Sequence, residues 1–415
     1  MTTDCQDLVC TRRRLLVGAS ALGGLGALEL ATPRMAFAAG EGDTDLLVVI
    51  SFRGGADGLS LVPPVADHDY YRARPGIAVH PSQALRLDRH FGLHPALAPL
   101  LPYWRSRQLA VVHAVGDSDG TRSHFEATDA MERGVNLSNS TQTGWVDRLM
   151  VARGLRSGAF PALSVGPPPG TLRGTAPDLS LWSLADLRVQ VPAADTARTE
   201  RALHQMYDGI AGPNAVAARE TLDALHRLAP LRDRTYVPRT GVRYPDDTFS
   251  SGLSQIAEVA RAGIGLEVAT LDAPGSWDMH EGLGAPGSGW LHDQLGTFAR
   301  GLSAFLRDLG PLLSRTTVVT VSEFGRRVAQ NGSGGVDHGH GSAMLLLGGG
   351  IQGGRVYGRW PGLAASQLDN GDLRPTTDYR DVLGELVARR LGGARVLRTV
   401  FPDHRPHELG LARRS

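Results

Sequence analysis

The run Thr316 to Val321, TTVVTV, limits the fold more than any other stretch of this chain. Every residue in it is β-branched, which favours extended backbone, and none is charged, so the segment predicts a strand buried on both faces. It opens directly into Ser322-Glu323-Phe324-Gly325-Arg326 and, after a glycine-rich stretch, reaches Asp337, His338 and His340. Working residues of open α/β sheets sit just past the carboxyl ends of strands, and this strand delivers ligand-type side chains to that position. The same residues also satisfy the composition of a Gly- and Asn-rich surface loop.

Other continuously apolar runs repeat the pattern. Leu46 to Phe52, Gln108 to Val115, Pro161 to Gly166, Gly265 to Leu271 and Met344 to Leu347 predict further strands. Helical periodicity lies between them, opening at Ser123-His124 and continuing through Met131, then over 199–207, 215–228, 249–262 and 290–309, and, after Thr376-Thr377-Asp378-Tyr379-Arg380, to about Leu391. Alternating strands and helices indicate an α/β layered fold with a largely parallel sheet. The helices within 154–263 are expected to lie at the periphery or to cap the sheet.

Composition removes whole classes of function. The 415 residues carry 43 basic side chains, all arginine, and a net charge of +1. There is no basic footprint for nucleic acid, and with no lysine there is no Schiff-base, P-loop or kinase-type lysine. A bound phosphate or sulfate must be held by arginine, backbone N–H groups or metal. Residues 1–38 read as a twin-arginine leader: Arg12-Arg13-Arg14, a short Gly/Ala/Leu run containing Glu29, and the small-residue site Ala36-Phe37-Ala38. The run is too short and too glycine-rich for a stable membrane anchor. Both cysteines, Cys5 and Cys10, precede the cleavage site, so the exported chain over 39–415 has no thiol chemistry. These features predict a periplasmic or extracellular protein that meets the twin-arginine translocase during export.

Candidate site residues follow the strands. Asp57, in the RGGADG loop after the first strand, is either a metal ligand or a turn aspartate. Ser123 and Glu126 form an S-x-x-E capping box, yet a hydroxyl at a helix start is also placed as a nucleophile, with Arg122 and His124 as its neighbours. Asp278 and His280, after the 265–271 strand, pair a carboxylate with an imidazole in a way that suits zinc, manganese or iron. The 316–341 stretch adds Glu323, Asp337, His338 and His340.

Taken together, FRGGADG, RSHFEA, WDMH, TVVTVSEFGRR, DHGHG and TTDYRDVLGEL, in this order behind a twin-arginine leader, resemble the exported domain-of-unknown-function family 1501, grouped with the alkaline phosphatase-like superfamily of phosphatases and sulfatases. The resemblance covers nearly all of the mature chain. It implies an alkaline phosphatase-like three-layer sandwich with helices on both faces of the sheet, and one or two divalent ions. On it, Asp57 is the carboxylate after the first strand, Ser123 the nucleophile, and Asp278 and His280 the mid-chain ligands. Glu323 takes an aspartate position, Phe324 a histidine position, and His338 the later histidine. A second register matches Asp337-His338-Gly339 directly. Phe324 cannot ligate metal, and no formylglycine-type cysteine exists in the mature chain. Two functions are compatible with this: a metal-dependent hydrolase of a small-molecule or polymeric phosphate or sulfate ester, with Arg53, Arg122 or Arg326 clamping the anion, or a binding or assembly protein that keeps the fold without turnover.

Overall fold

The computed structural model describes residues 45–154, 161–176 and 178–414. These belong to one of the chain's two compact units, Pro33–Ser415. The leader segment over 1–38 lies outside them.

Each strand expected from the sequence is present: β1 (Leu46–Ser51), β4 (Leu109–Gly116), β5 (Ala162–Val165), β7 (Val268–Asp272), β8 (Thr316–Val321) and β9 (Ser342–Gly348). The structure adds a two-residue ribbon, β2 (Leu85–Arg86) with β3 (Gly92–Leu93), and the short strands β6 (Leu179–Leu181), β10 (Val356–Tyr357) and β11 (Thr377–Asp378). The main sheet runs β10-β4-β9-β8-β1-β7-β5-β6, with β11 also beside β4. Its pairings are parallel except that β9 runs antiparallel to both β4 and β8.

Alternation within the apolar runs explains why the strands show no polar face. Leu46, Val48 and Ile50 of β1 point into one core, and Leu47 and Val49 point into another on the opposite side. The same division separates Val318 from Val319 and Val321, and Leu345 and Leu347 from Met344 and Leu346. A strand covered on both sides has no use for polar positions. Each fully buried aliphatic side chain here contributes about 1.5–3 kcal/mol.

Helices complete the layers. On the first face, α5 (Thr248–Arg261) packs against α6 (Trp290–Leu309), whose Leu291, Leu295, Phe298, Leu302, Phe305 and Leu309 are buried. On the second face lie α1 (His124–Arg133), α2 (Trp145–Ala152) and α7 (Tyr379–Arg390), which contribute Met131, Trp145, Leu149, Val382 and Leu386 to the core. The result is an α/β sandwich with a mostly parallel central sheet. The expected helical periphery is divided. α5 is part of a layer, while α3 (Thr196–Tyr207) and α4 (Pro213–Arg232) pack on each other, and α4 joins the core through Leu228 and Leu231. No described helix is long and apolar enough to cross a membrane.

The connection from α4 to α5 is held by one carboxylate. Asp308 is fully buried near the end of α6, where it accepts hydrogen bonds from Tyr236 Oη at 2.7 Å, Tyr244 Oη at 3.0 Å, Arg261 Nη1 at 2.9 Å and the Arg239 N–H at 2.8 Å. Replacing Asp308 with alanine leaves two half-buried hydroxyls and a cation without their acceptor. Urea denaturation of Asp308→Ala is expected to show a loss of roughly 3 kcal/mol. A loss below about 1 kcal/mol contradicts this account of the connection.

Candidate metal centre

Strand polarity brings the chemistry to one end of the sheet. β1, β4, β7 and β8 all finish at this end, and antiparallel β9 starts there. The loops after β1 and β7 carry Arg53-Gly54-Gly55 and Asp278, the residues after β8 carry Glu323 and Arg326, and β4 leads to His124 at the start of α1. His338 and His340 immediately precede β9.

Arg326 binds these loops together. It is 1% exposed; its Nε donates to Gly55 O at 2.6 Å and its Nη1 to Val336 O at 3.1 Å. Its Nη2 donates to Gly54 O, to Trp277 O at 3.2 Å and to Asp278 Oδ1 at 2.6 Å. The fit depends on Gly54, which has φ +115° and whose missing Cβ would stand 2.5 Å from the Asp278 nitrogen. Partial burial works against the Asp278 charge, but the Arg326 guanidinium more than offsets it and holds the carboxyl down at about 2.

Three imidazoles meet this carboxylate. His338 Nε2 lies 3.2 Å from Asp278 Oδ1, His280 Nε2 3.0 Å and His124 Nε2 3.5 Å. His338 Nε2 is also 3.0 Å from His124 Nε2 and 2.9 Å from His280 Nε2. The other ring nitrogen of each histidine faces an acceptor: His124 Nδ1 donates to Glu323 Oε1 at 2.9 Å, His338 Nδ1 to Arg122 O at 2.8 Å and His280 Nδ1 to Asp337 Oδ1 at 3.3 Å. A neutral imidazole that donates through Nδ1 presents only a lone pair at Nε2. Lone pairs 3 Å apart repel unless a cation stands between them. Ligand bonds of about 2.0–2.1 Å place neighbouring donors roughly 2.8–3.4 Å apart for angles between right and tetrahedral. The His124–His338 and Asp278–His338 separations, 3.0 and 3.2 Å, fall in that range and the His124–Asp278 separation, 3.5 Å, lies just above it, and the three residues form a group able to hold a metal ion. His280 borders the same Asp278–His338 edge, and its Nε2 also lies 3.4 Å from Arg326 Nη1.

The remaining residues singled out in the sequence take other positions. Glu323 stands behind His124: its Oε1 accepts from the Gly54 N–H at 2.7 Å as well as from the imidazole, so it orients a donor instead of supplying one. Asp337 does the same for His280 and is itself held by Asn331 Nδ2 at 2.9 Å. Asp57 is not brought to the cluster. It forms a two-point pair with Arg74, at 2.5 and 2.9 Å, in which both side chains are buried. Ser123 caps α1, accepting the Glu126 N–H at 3.5 Å, and it is the next residue, His124, whose side chain reaches the donor set. The Arg122 guanidinium is paired with Asp372, so it contributes to the site through its carbonyl. His340 belongs to a separate group, with Asp117 O at 3.1 Å and Asp369 Oδ2 at 3.5 Å. The Phe324 ring lies against His124 and His338, with centroids 4.8 and 5.0 Å apart.

A cavity of about 450 Å³ opens beside the donors. Arg53, Phe125, Asp129 and Arg173 line it together with His124 and Asp278. Arg53 is committed to Asp272 and Glu132, both at 2.7 Å, whereas among the described residues Arg173 pairs with Asp129 alone, at 3.3 Å. Of these, Phe125, Asp129, Glu132 and Arg173 were not singled out from the sequence. The signal available there was the spacing of His124, Thr128 and Glu132, which places polar side chains on one face of α1.

Two consequences are measurable. Glu323→Gln should weaken zinc binding about 10–100-fold in a competitive chelator titration, because the His124 imidazole loses its charged acceptor; unchanged affinity contradicts the orienting role. Asp57→Asn should leave zinc affinity unchanged but cost roughly 3–5 kcal/mol, since it strands the buried Arg74. Burial opposes the Asp57 charge, and Arg74 nevertheless holds its carboxyl below the ordinary range. The contribution of the pair is therefore present above about pH 4 and is lost as the pH falls through that lowered value.

Solved structures of low identity are similar to this chain. They include the sulfatase PsFucS1 from Pseudoalteromonas sp. (13% identity, TM-score 0.37, covering 90% of this chain and 74% of that one). Others are the C-terminal periplasmic domain of EcEptC from Escherichia coli in complex with Zn (10%, 0.32, 77% and 77%) and a protein in the alkaline phosphatase superfamily from Vibrio parahaemolyticus (11%, 0.34, 80% and 67%). A search of the curated proteins returned no match. The model of one family, described as protein of unknown function DUF1501, matches residues 111–380, a span that runs from β4 through His124, Asp278 and His338 to the start of α7, and the chain belongs to that family.

Proposed function

We propose that this protein is an exported, metal-dependent hydrolase of a phosphate or sulfate ester. The observation that carries the reading is the convergence of His124 Nε2, Asp278 Oδ1 and His338 Nε2 within 3.0–3.5 Å of one another at the wall of a cavity. Because one imidazole nitrogen has a single lone pair, His338 serves one ion, which His124 Nε2 and Asp278 Oδ1 would share. Two imidazoles and one carboxylate suit zinc or manganese better than magnesium. The ion would supply Lewis acidity, lowering the pKa of water and polarising the ester oxygen.

The residues of the chain do the rest. Arg173, the less committed guanidinium at the cavity, binds the anionic group of the ester. His280, backed by Asp337, is placed to take a proton from the attacking water and return it to the departing alkoxide. The balance is hydrolytic: the water oxygen bonds to phosphorus or sulfur, the ester oxygen leaves as R–OH, and the acid is released. Water is taken as the attacking group because, among the described residues, no hydroxyl, that of Ser123 included, hydrogen-bonds to the three donor atoms. The leader at Arg12-Arg13 supports export by the twin-arginine pathway to the periplasm or beyond.

A reading without turnover draws on Phe324, whose ring closes the side of the donor set where the resemblance implies a histidine. Activity decides between the two. With zinc or manganese restored, p-nitrophenyl sulfate or p-nitrophenyl phosphate should be hydrolysed, and Asp278→Ala or His338→Ala should lower kcat/KM by more than about 100-fold. Ser123→Ala should stay within about threefold of the parent, as expected for an exposed cap. Metal binding with no hydrolysis of either ester favours the binding protein, and loss of activity in Ser123→Ala contradicts attack by water.

A further inference from the structure

Two aromatic rings stand in solvent at the catalytic end of the sheet. Phe125 is 89% exposed and Trp182 72%, the former on the first turn of α1 and the latter immediately after β6. Neither is explained by the fold, since both sit beside elements that bury their other apolar residues. Phe125 shares its cavity with Arg53 and Gly54, just past β1, and the sheet register places Trp182 relative to that strand end. Ile50 pairs with Leu271, Leu271 with Val165, and Val165 with Leu181, all in parallel, so Trp182 lies level with Ser51 and Asp272, the last residues of β1 and β7. Three strand intervals of about 4.8 Å separate β1 from β6, roughly 14 Å along this edge. The Trp182 backbone is fixed there, because its carbonyl accepts from Gln255 Nε2 at 3.2 Å and the same side chain holds the Leu184 N–H at 2.7 Å.

The surroundings of Phe125 show what kind of group the ring receives. Thr128 and Asp129 follow it at three and four residues and share its helix face. Arg173 reaches the same face through Asp129 at 3.3 Å, and all four residues line the cavity that contains Asp278. An apolar plate edged by a hydroxyl, a carboxylate and a guanidinium matches a ring with a C–H face and a rim of hydroxyls. A purely apolar partner would want a contiguous greasy patch, and here Phe125 shares its cavity with the Arg53–Glu132 ion pair. Stacked nucleic-acid bases would need a basic groove, and a net charge of +1 gives none.

We infer that Phe125 and Trp182 are the near and far platforms of a carbohydrate subsite, and that the alcohol part of the ester is a sugar chain extending from the metal centre along the carboxyl edge of β1, β7, β5 and β6. The inference rests on the hydrolase reading for its ester but not for its binding surface, so it is tested on neutral sugars, which need no turnover. Isothermal titration and saturation-transfer NMR with galactose, N-acetylglucosamine and galacto- and cello-oligosaccharides of two to six units provide the probes. Affinity should rise with length until roughly three or four units bridge the two rings. Phe125→Ala should weaken every ligand about tenfold, in line with one aromatic contact. Trp182→Ala should weaken only the longer ones, and Phe125→Trp should preserve binding. Absence of binding by all these sugars, binding indifferent to Phe125→Ala, or affinity independent of length would overturn the subsite. Loss of ester hydrolysis with sugar binding intact would instead fault the hydrolase reading alone.

Discussion

The contact between Arg326 and Asp278 is the constraint on which the rest of the site depends. One buried guanidinium ties together the loop after β1, the loop after β7 and the segment that returns to β9, because its acceptors come from all three. Isolated burial of that charge would be prohibitive, and it is tolerated because carbonyl oxygens and one carboxylate satisfy its N–H groups. The same pairing keeps Asp278 ionised and aims Oδ1 at three imidazoles. A chain that places these loops correctly therefore has the Asp278 oxygen oriented toward the three imidazoles in advance.

Around that oxygen, the protein organises its donors through their back sides. Glu323, the Arg122 carbonyl and Asp337 each take the Nδ1 proton of one histidine, which fixes three tautomers and three ring planes. Preorganisation of this kind lowers the cost of ordering the site on binding. It also explains the composition of the neighbourhood: Glu323 and Asp337, which read as ligands in one dimension, act in three as acceptors for imidazole N–H groups.

The fold was legible in the sequence because the physics that forms it is local and repetitive. Runs such as LLVVIS and TTVVTV are apolar without alternation only if both faces are covered, and the long stripe from Leu291 to Leu309 can only be a helix on a sheet. Short edges such as β6 and β10 escaped, since two or three residues carry no periodicity. In the site, Asp278, His280 and His338 were readable as candidates from residue type and position after strands. Asp57 was misleading because its partner, Arg74, lies in a region with no pattern to announce it. Ser123 and His124 differ by one residue, yet a helical start turns successive side chains by about 100°, so the capping geometry that holds Ser123 on the helix sends His124 to the cluster. Phe125 and Trp182 were invisible as a pair until the register placed β6 three strands from β1.

The central claim is that His124, Asp278 and His338 hold one divalent ion. Anomalous diffraction from crystals of the folded protein prepared without chelators and supplied with zinc, recorded above and below the zinc edge, tests it most directly. A single peak within about 2.0–2.2 Å of His124 Nε2, Asp278 Oδ1 and His338 Nε2 is the predicted result. No peak there, with the imidazoles drawn together by protons instead, or two peaks of equal height across the cluster, would contradict it.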